Sequence, residues 1–137
     1  QCRDLINMGG RKAGEQAYAM AGLTPGDIDF LELYDSFSFN PILGVENLGI
    51  VPSGAGGEFW DAGRGAPGGD MPVNTYGGLM SFGHTGDASG MSMIVEGARQ
   101  VMGQAGERQL DNADTGLVHS YGGMMAEHSV LILGRQS

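Results

Sequence analysis

Residues 74–90 read NTYGGLMSFGHTGDASG, and no other stretch of the chain says as much about its fold and chemistry. His84 lies between glycines, which let a backbone approach a ligand closely or adopt a positive φ. A periodic apolar segment follows at once, so we expect a helix to begin beside His84. Its unpaired N–H groups and positive dipole end favour a neutral histidine, which can donate a hydrogen bond to a substrate carbonyl. A glycine-rich turn with an exposed histidine is the alternative.

The first half of the chain predicts two helices around one strand. Residues 10–21 have helical periodicity, and residues 28–34 alternate well enough for a strand. Asp35 or Ser36 can cap a second helix, about 12 residues long. Residues 49–70 form a long loop of a kind that is often functional.

The second half predicts a short extended piece, a helix and an antiparallel pair of strands. Residues 71–74 are extended, and residues 88–102 form the most regular helix, with Asp87 as its N-cap. One apolar face of this helix carries Met91, Ile94, Val95, Ala98, Val101 and Met102. The apolar runs 115–121 and 127–133 form the strand pair. This order predicts one layered α/β domain over residues 1–137, with a mixed sheet.

Composition narrows the classes of function. The chain has 137 residues and a formal net charge of −9 with seven Lys and Arg, so it lacks the basic surface that nucleic-acid binding needs. The same shortage leaves few cations for the phosphates of a ligand. One cysteine, Cys2, allows no internal disulfide. Without an apolar run of membrane-spanning length or a signal peptide, we expect a cytoplasmic protein. The chain begins at Gln1, and we expect it to be a piece of a longer protein.

Four motifs, in order, resemble the C-terminal half of thiolase-superfamily proteins. Residues 74–90 are similar to N-x-x-G-G followed by G-H-P-x-G-x-S-G, with Thr85 in place of proline. Residues 21–29, AGLTPGDID, resemble A-G-x-x-P-x-D-I-D. Residues 34–37, YDSF, stand where these proteins have N-E-A-F or H-D-x-F, and residues 119–124, HSYGGM, where they have C-x-G-G-G. The resemblance is to the sterol-carrier-type, or lipid-transfer-protein, branch. It implies a thiolase-type layered domain with a mixed, five-stranded-like sheet and helices on its faces.

The departures from these motifs point to a cysteine-less variant. His119 replaces the motif cysteine, Tyr34 replaces the asparagine or histidine of the oxyanion hole, and Cys2 matches no nucleophile motif. The family's nucleophilic cysteine belongs to the N-terminal half. The chain therefore most resembles the aldolases that cleave steroid side chains, with tyrosines in the site. These carry out retro-aldol cleavage of a β-hydroxyacyl-CoA and work with a small OB-fold partner.

The resemblance and the residue chemistry together assign the site. The catalytic candidates are His84, Tyr34, Tyr121 and His119, with His119 as the nearest group able to activate a tyrosine. The substrate-binding candidates are Asn74, Gly77, Gly83, Gly122 and Gly123. If the assignment holds, Tyr34, His84 and Tyr121 should converge on one cavity. Both tyrosines can alternatively be packing anchors, and we expect Asp35 to cap a helix and His128 to be structural.

The resulting prediction is an enzyme that acts on acyl-CoA thioesters as a carbon–carbon lyase. The alternatives are an acyltransferase (thiolase) with a cysteine from the N-terminal half, and a non-catalytic lipid-transfer or scaffold subunit. Coenzyme A enters as part of the substrate, and we expect no permanent cofactor and no metal. The expected partners are the N-terminal thiolase half, a second copy in a thiolase-type homodimer, and the small OB-fold protein. We expect the isolated chain to be inactive.

Overall fold

The computed structural model describes residues 4, 6 and 9–135, which form a mixed α/β domain around a three-stranded sheet. Its strands are β1 (Phe30–Leu33), β2 (Thr115–Gly122) and β3 (Glu127–Gly134), in the order β1-β2-β3. β1 is parallel to β2, and β2 is antiparallel to β3. The predictions of an α/β fold, a mixed sheet and a terminal antiparallel pair are confirmed.

The described part of the chain has three strands where the resemblance implied about five. The predicted extended piece at residues 71–74 pairs with β1 only through an isolated bridge between Val73 and Leu31. Pro72 has no N–H to donate, and Asn74 turns the backbone away with a φ of 54°. The Asn74 side chain instead continues the pairing, since its amide exchanges hydrogen bonds with the N–H (2.7 Å) and carbonyl (3.0 Å) of Leu33.

The described residues form five α-helices around the sheet. They are α1 (Gly10–Ala21), α2 (Phe39–Asn47), α3 (Gly56–Asp61), α4 (Gly78–Phe82) and α5 (Ser89–Val101). Short 3₁₀ turns precede β1 and α5 and follow α5. The bounds of α1 agree with the prediction. α3 lies inside the predicted loop and α4 inside the glycine-rich stretch, so periodicity did not indicate either helix.

Two apolar layers hold the helices on the sheet. On one side α1, α2 and α3 pack over a cluster of Tyr18, Ile28, Leu31, Leu33, Val45, Leu48, Val51, Phe59 and Leu117. On the other side α5 packs on β2, where Leu79, Met93 and Val118 form a separate cluster. The carboxyl ends of β1 and β2 extend between these layers.

The buried face of α5 differs from the predicted one. Met91, Val95 and Met102 are 59%, 43% and 62% exposed, whereas Met93 is fully buried. Gly97 determines this orientation, because a Cβ there would lie only 3.1 Å from both Val118 and Leu133. The buried face also includes two polar residues, Glu96 and Gln100. The apolar periodicity therefore marked a stripe that is in large part exposed in this chain.

Asp35 caps a helix, although not the one that its position in the sequence suggested. Its Oδ1 accepts a hydrogen bond of 2.7 Å from the N–H of Leu79, in the first turn of α4. The residue before Leu79, Gly78, could not carry a side chain, since a Cβ there would lie 2.2 Å from Asp35 Oδ2. α2 begins later than predicted, at Phe39, and neither Asp35 nor Ser36 caps it.

Two expectations concern parts of the chain that are not described. Cys2 lies outside the described residues, as does the side chain of Asp87. The residue at the N-cap position of α5 is Ala88.

Among the described residues, no helix combines the length and apolar character needed to cross a membrane.

Candidate active site

The candidate site lies at the carboxyl ends of the two parallel strands, where open α/β sheets commonly bind ligands. Tyr34 follows the last residue of β1, and its N–H donates to the His119 carbonyl at 3.0 Å. Tyr121 is the penultimate residue of β2. Strand alternation directs the two tyrosines to opposite faces, yet beyond the end of β1 their rings meet at 4.8 Å.

His84 contacts Tyr34 through a hydrogen bond whose direction is fixed by the backbone. His84 Nδ1 accepts the N–H of Gly86 at 3.2 Å. A neutral imidazole with Nδ1 as acceptor carries its proton on Nε2. His84 Nε2 lies 2.9 Å from the Tyr34 hydroxyl, so the ring N–H donates to the phenol oxygen. The local structure thus presents His84 as a hydrogen-bond donor through Nε2, one residue before Thr85, the N-cap of the 3₁₀ turn that leads into α5.

Tyr121 belongs to a second set of hydrogen bonds. Its hydroxyl lies 3.0 Å from Ser36 Oγ and accepts from the Asn40 amide nitrogen. That nitrogen also donates to Ser36 Oγ at 3.1 Å. Burial raises the pKa of Tyr121, and the Ser36 hydrogen bond opposes the increase. Tyr121 is therefore held as a neutral phenol at the same edge as Tyr34.

His119 does not contact either tyrosine hydroxyl through any hydrogen bond described here. Its ring is 2% exposed and stacks on His128, with His119 Nε2 3.0 Å from His128 Nδ1. His128 Nε2 lies 3.1 Å from the Met125 carbonyl, which can only accept, so His128 Nδ1 is the acceptor and His119 donates to it. Burial, and then the charge of His128, lowers the pKa of His119 to about 3. His119 was expected to be the nearest group able to activate a tyrosine, but its described hydrogen bond goes to His128, and burial favours its neutral form.

One cleft of about 490 Å³ brings the main candidates together. Its lining residues are Tyr34, His84, Gly86, Gly90, Ser120, Tyr121, Gly122, Glu127, His128 and Ser129. The convergence of Tyr34, His84 and Tyr121 on one cavity is the geometry expected from the sequence. The lining contains a carboxylate and no Lys or Arg, so it supplies no cation for the phosphates of a coenzyme.

Some of the predicted substrate-binding residues line the cleft, and the others hold the loops around it. Gly122 lines the cleft, and Gly123 makes the turn after it with a φ of 56°. Asn74 is occupied with Leu33, as described above. Gly77 and Gly83 flank α4 with φ values of 104° and 117°, conformations that favour glycine. These three residues shape the loops around His84 without lining the cleft.

Several lining residues were not predicted. Glu127, His128 and Ser129 enter the site because the antiparallel pairing returns the start of β3 to the edge where β1 and β2 end. The predicted strand pair contained that information. Ser36 and Asn40 are separated from Tyr121 by 85 and 81 positions, so no local pattern links them to it.

In the part of the chain that the structure describes, no three His, Cys, Asp or Glu side chains are placed so that they could hold a metal ion.

The motifs, the fold and the cleft agree with the family comparison. The family described as thiolase C-terminal domain-like matches residues 1–135. This chain therefore belongs to the thiolase C-terminal domain-like family.

Individual relatives support the same branch of the family. An acetyl-CoA acetyltransferase of Methanothermobacter thermautotrophicus is 44% identical over 90% of this chain and 32% of its own length. Human sterol carrier protein 2 is 40% identical over 88% of this chain and 23% of its own length. Among solved structures, a chain of the Ltp2-ChsH2(DUF35) aldolase superposes with a TM-score of 0.86 and 30% identity, covering 98% of this chain and 34% of that one. This chain thus spans between 23% and 34% of the length of each of these relatives.

Proposed function

We propose that this chain supplies part of an enzyme that cleaves a carbon–carbon bond in a β-hydroxyacyl-CoA, such as one with a steroid side chain, by a retro-aldol reaction. The observation that carries the proposal is the convergence of Tyr34, His84 and Tyr121 on one cleft. Two phenols and a hydrogen-bond donor suit proton transfer and oxyanion stabilisation, and neither task needs a thiol. The structural similarity to a protein named an aldolase points the same way.

The reaction balances with groups of this kind. A base removes the proton of the β-hydroxyl, and the new carbonyl forms as the Cα–Cβ bond breaks. The electron pair of that bond passes into the thioester, giving an enolate that a hydrogen-bond donor stabilises. An acid then protonates the α-carbon. The products are an aldehyde or ketone and a shortened acyl-CoA.

His84 is the proposed donor to the thioester oxygen. Its Nε2–H already points at an oxygen, that of Tyr34, at 2.9 Å. When the thioester oxygen takes this N–H, the Tyr34 hydroxyl becomes free to face the substrate. The two tyrosines then divide the base and acid steps between them.

A thiolase activity is the second candidate, favoured by the 44% identity to an acetyl-CoA acetyltransferase. Thiolysis needs an activated nucleophile that forms an acyl-enzyme. The remainder of the protein would have to supply it. A non-catalytic lipid-transfer role is the third candidate, in line with the similarity to sterol carrier protein 2.

The proposed partner for the exposed stripe of α5 is the N-terminal thiolase half. This stripe consists of Met91, Val95 and Met102, with Phe82 nearby at 65% exposure. Exposed apolar patches of this kind mark interaction sites, and relatives are about three times the length of this chain or more. We include in the proposal a thiolase-type homodimer and a small OB-fold partner, which the name of the aldolase complex makes worth testing.

The deciding experiment compares Tyr34→Phe and Tyr121→Phe in the complete protein, assayed for both retro-aldol cleavage and thiolysis. We expect each change to abolish cleavage and to leave substrate binding within a few-fold. Tyr18→Phe is the matched control. Tyr18 does not line the cleft, and its hydroxyl donates a hydrogen bond of 3.0 Å to the Leu48 carbonyl. Thiolysis that survives both changes would establish the acyltransferase alternative. Substrate binding by the unsubstituted complete protein, with neither cleavage nor thiolysis, would establish lipid transfer.

A further inference from the structure

Tyr121 is held by two side chains that neither the sequence motifs nor the proposed reaction uses. Asn40, in the first turn of α2, is 3% exposed. Its amide nitrogen donates to both the Tyr121 oxygen and Ser36 Oγ. Ser36 Oγ and the Tyr121 oxygen are 3.0 Å apart, so the three groups close a triangle of hydrogen bonds.

The number of protons in the triangle limits what Tyr121 can do. Asn40 supplies two N–H donors, and each hydroxyl supplies one. If Ser36 donates to Tyr121, the phenol oxygen accepts two hydrogen bonds, and its own proton must point out of the triangle. The cleft lies on that side, since Tyr121 lines it and its ring meets that of Tyr34.

We propose that Ser36 and Asn40 are positioning residues that make Tyr121 the proton donor of the site. The inference rests on the proposed function, and it assigns the acid step to Tyr121 and the base step to Tyr34. The two hydrogen bonds direct the phenol proton toward the substrate carbon. They also stabilise the phenolate that remains after the proton has left.

The surroundings of Tyr121 agree with this assignment. Burial disfavours the phenolate and so favours a protonated group, while the Ser36 hydrogen bond works in the opposite direction. A general acid needs both of these effects, because it must hold its proton before the reaction and must release it in the reaction without a large cost in free energy. Tyr34 has a different environment, with a single N–H donor from His84.

The test is the titration of the Tyr121 phenol in the complete protein, followed by NMR with ¹³C-labelled tyrosine and assigned with Tyr121→Phe. We expect Ser36→Ala and Asn40→Leu each to raise the pKa of Tyr121, because burial is then less compensated. A pKa that falls in Ser36→Ala would overturn the inference, since it would mean that Tyr121 donates to Ser36. An unchanged pKa in both variants would also overturn it.

Kinetics supply the second readout. We expect kcat of the retro-aldol reaction to fall roughly 10- to 100-fold in each variant with KM nearly constant, a smaller loss than the 10²–10⁴-fold of a general acid itself. Asn47→Leu is the matched control: Asn47 lies on the same helix, is 3% exposed and donates to the Leu43 and Ile6 carbonyls. It should leave both the Tyr121 pKa and kcat unchanged.

The two readouts separate this inference from the proposed function. Shifted titrations in a protein without lyase activity would leave the positioning intact and refute the reaction. Lyase activity that depends on Tyr121, with titration unaffected by either variant, would refute the positioning alone. If Asn40→Leu does not fold, Ser36→Ala at the half-buried Ser36 carries the test.

Discussion

At the scale of single residues, one backbone hydrogen bond decides the chemistry of His84. The N–H of Gly86 occupies Nδ1, so the imidazole can only donate through Nε2. Gly86 makes this possible by adopting a φ of 67°, which favours glycine.

We therefore expect His84→Ala in the complete protein to lower kcat by ~10²–10³, the usual effect of removing one oxyanion donor. His84→Gln can place an N–H near the position of Nε2 and should recover part of the loss. Steady-state kinetics on the proposed substrate class measure both. A kcat close to that of the wild type in His84→Ala would assign His84 a structural role.

Glu32 is a second residue whose surroundings fix its charge. It is fully buried, and Thr75 Oγ1 lies 2.8 Å from Glu32 Oε1 and 2.9 Å from Glu96 Oε1. One hydroxyl proton cannot serve two carboxylates. Glu96 forms a bidentate pair with Arg108, which favours its ionised form. Burial raises the pKa of Glu32 to about 8, so Glu32 is the protonated member.

This raised pKa makes stability depend on pH. Glu32 ionises near its ordinary pKa of 4.5 when unfolded and near 8 when folded, so the native state binds the extra proton between these values. The contribution of Glu32 to the free energy of unfolding should fall as pH rises through this window, by at most about 1.4 kcal/mol per pH unit, and it opposes the contribution of His119 below pH 6.5. Glu32→Gln should remove this slope, and Glu107→Gln, at an exposed position, should not. Urea unfolding from pH 4.5 to 8 measures it, and an unchanged slope in Glu32→Gln would contradict the assignment.

At the scale of elements, the pairing of β2 with β3 brings residues into the cleft that the motifs do not contain. Tyr121 pairs with His128 across the two strands, and the same register brings Glu127 beside Gly122. The stacked pair of His119 and His128 lies under the beginning of α1, where Gly9 and Gly10 leave room for the rings. A Cβ at Gly9 would approach the His128 ring to 2.8 Å.

The His119–His128 pair predicts acid sensitivity of this strand pair. The pKa of His119 is about 3 in the folded chain and near 6.5 when unfolded, so the unfolded state binds more protons below pH 6.5. Stability should therefore fall as pH decreases from 6.5 toward 3, with a slope of about 1.4 kcal/mol per pH unit from this residue. In His119→Leu the slope of stability against pH should be smaller by the contribution of one proton, about 1.4 kcal/mol per pH unit. Unfolding curves of the complete protein across this range measure the difference, and equal slopes would show that His119 titrates normally.

The elements differ in how well sequence alone could predict them. α1, β2 and β3 were located correctly from their apolar patterns, although the buried residues of α1 are Gly10, Gly14 and Tyr18 while its Met20 is 89% exposed. α4 was not, since Gly77 and Gly78 suggest a turn, and the helix is capped by a hydrogen bond that the Leu79 N–H donates to the distant carboxylate of Asp35. α5 was located correctly but oriented wrongly, because Gly97 and the polar residues Glu96 and Gln100 are buried beside Met93, while Met91 and Val95 are exposed. At the site, the motifs indicated Tyr34, His84 and Tyr121, whereas the long-range contacts of Tyr121 had no sequence signal.

At the scale of the whole molecule, the surface of this chain has an exposed apolar stripe and a cleft without cations. The stripe of α5 leaves large apolar side chains exposed beside Arg99, which makes no described ion pair. The cleft lining likewise contains no Lys or Arg, although each proposed substrate carries several phosphate groups. Both features are explained if the remainder of the protein covers α5 and supplies the cations.

We therefore predict that the purified 137-residue chain does not turn over acyl-CoA, and that turnover is seen when the chain is joined to the N-terminal half.

Met91→Glu tests the exposed stripe of α5 directly, because a charge there should have opposite effects in the isolated chain and in the complete protein. In the isolated chain it should reduce self-association, since it breaks an apolar patch. In the complete protein it should lower stability and activity, since a buried unpaired carboxylate is costly. Met20→Glu is the matched control: Met20 is 89% exposed on α1, so it should be neutral in both settings. Light scattering of the isolated chain and assays of the complete protein decide the outcome. Turnover by the isolated chain would contradict the prediction that it is inactive alone, and a complete protein indifferent to Met91→Glu would contradict the proposal that α5 is covered.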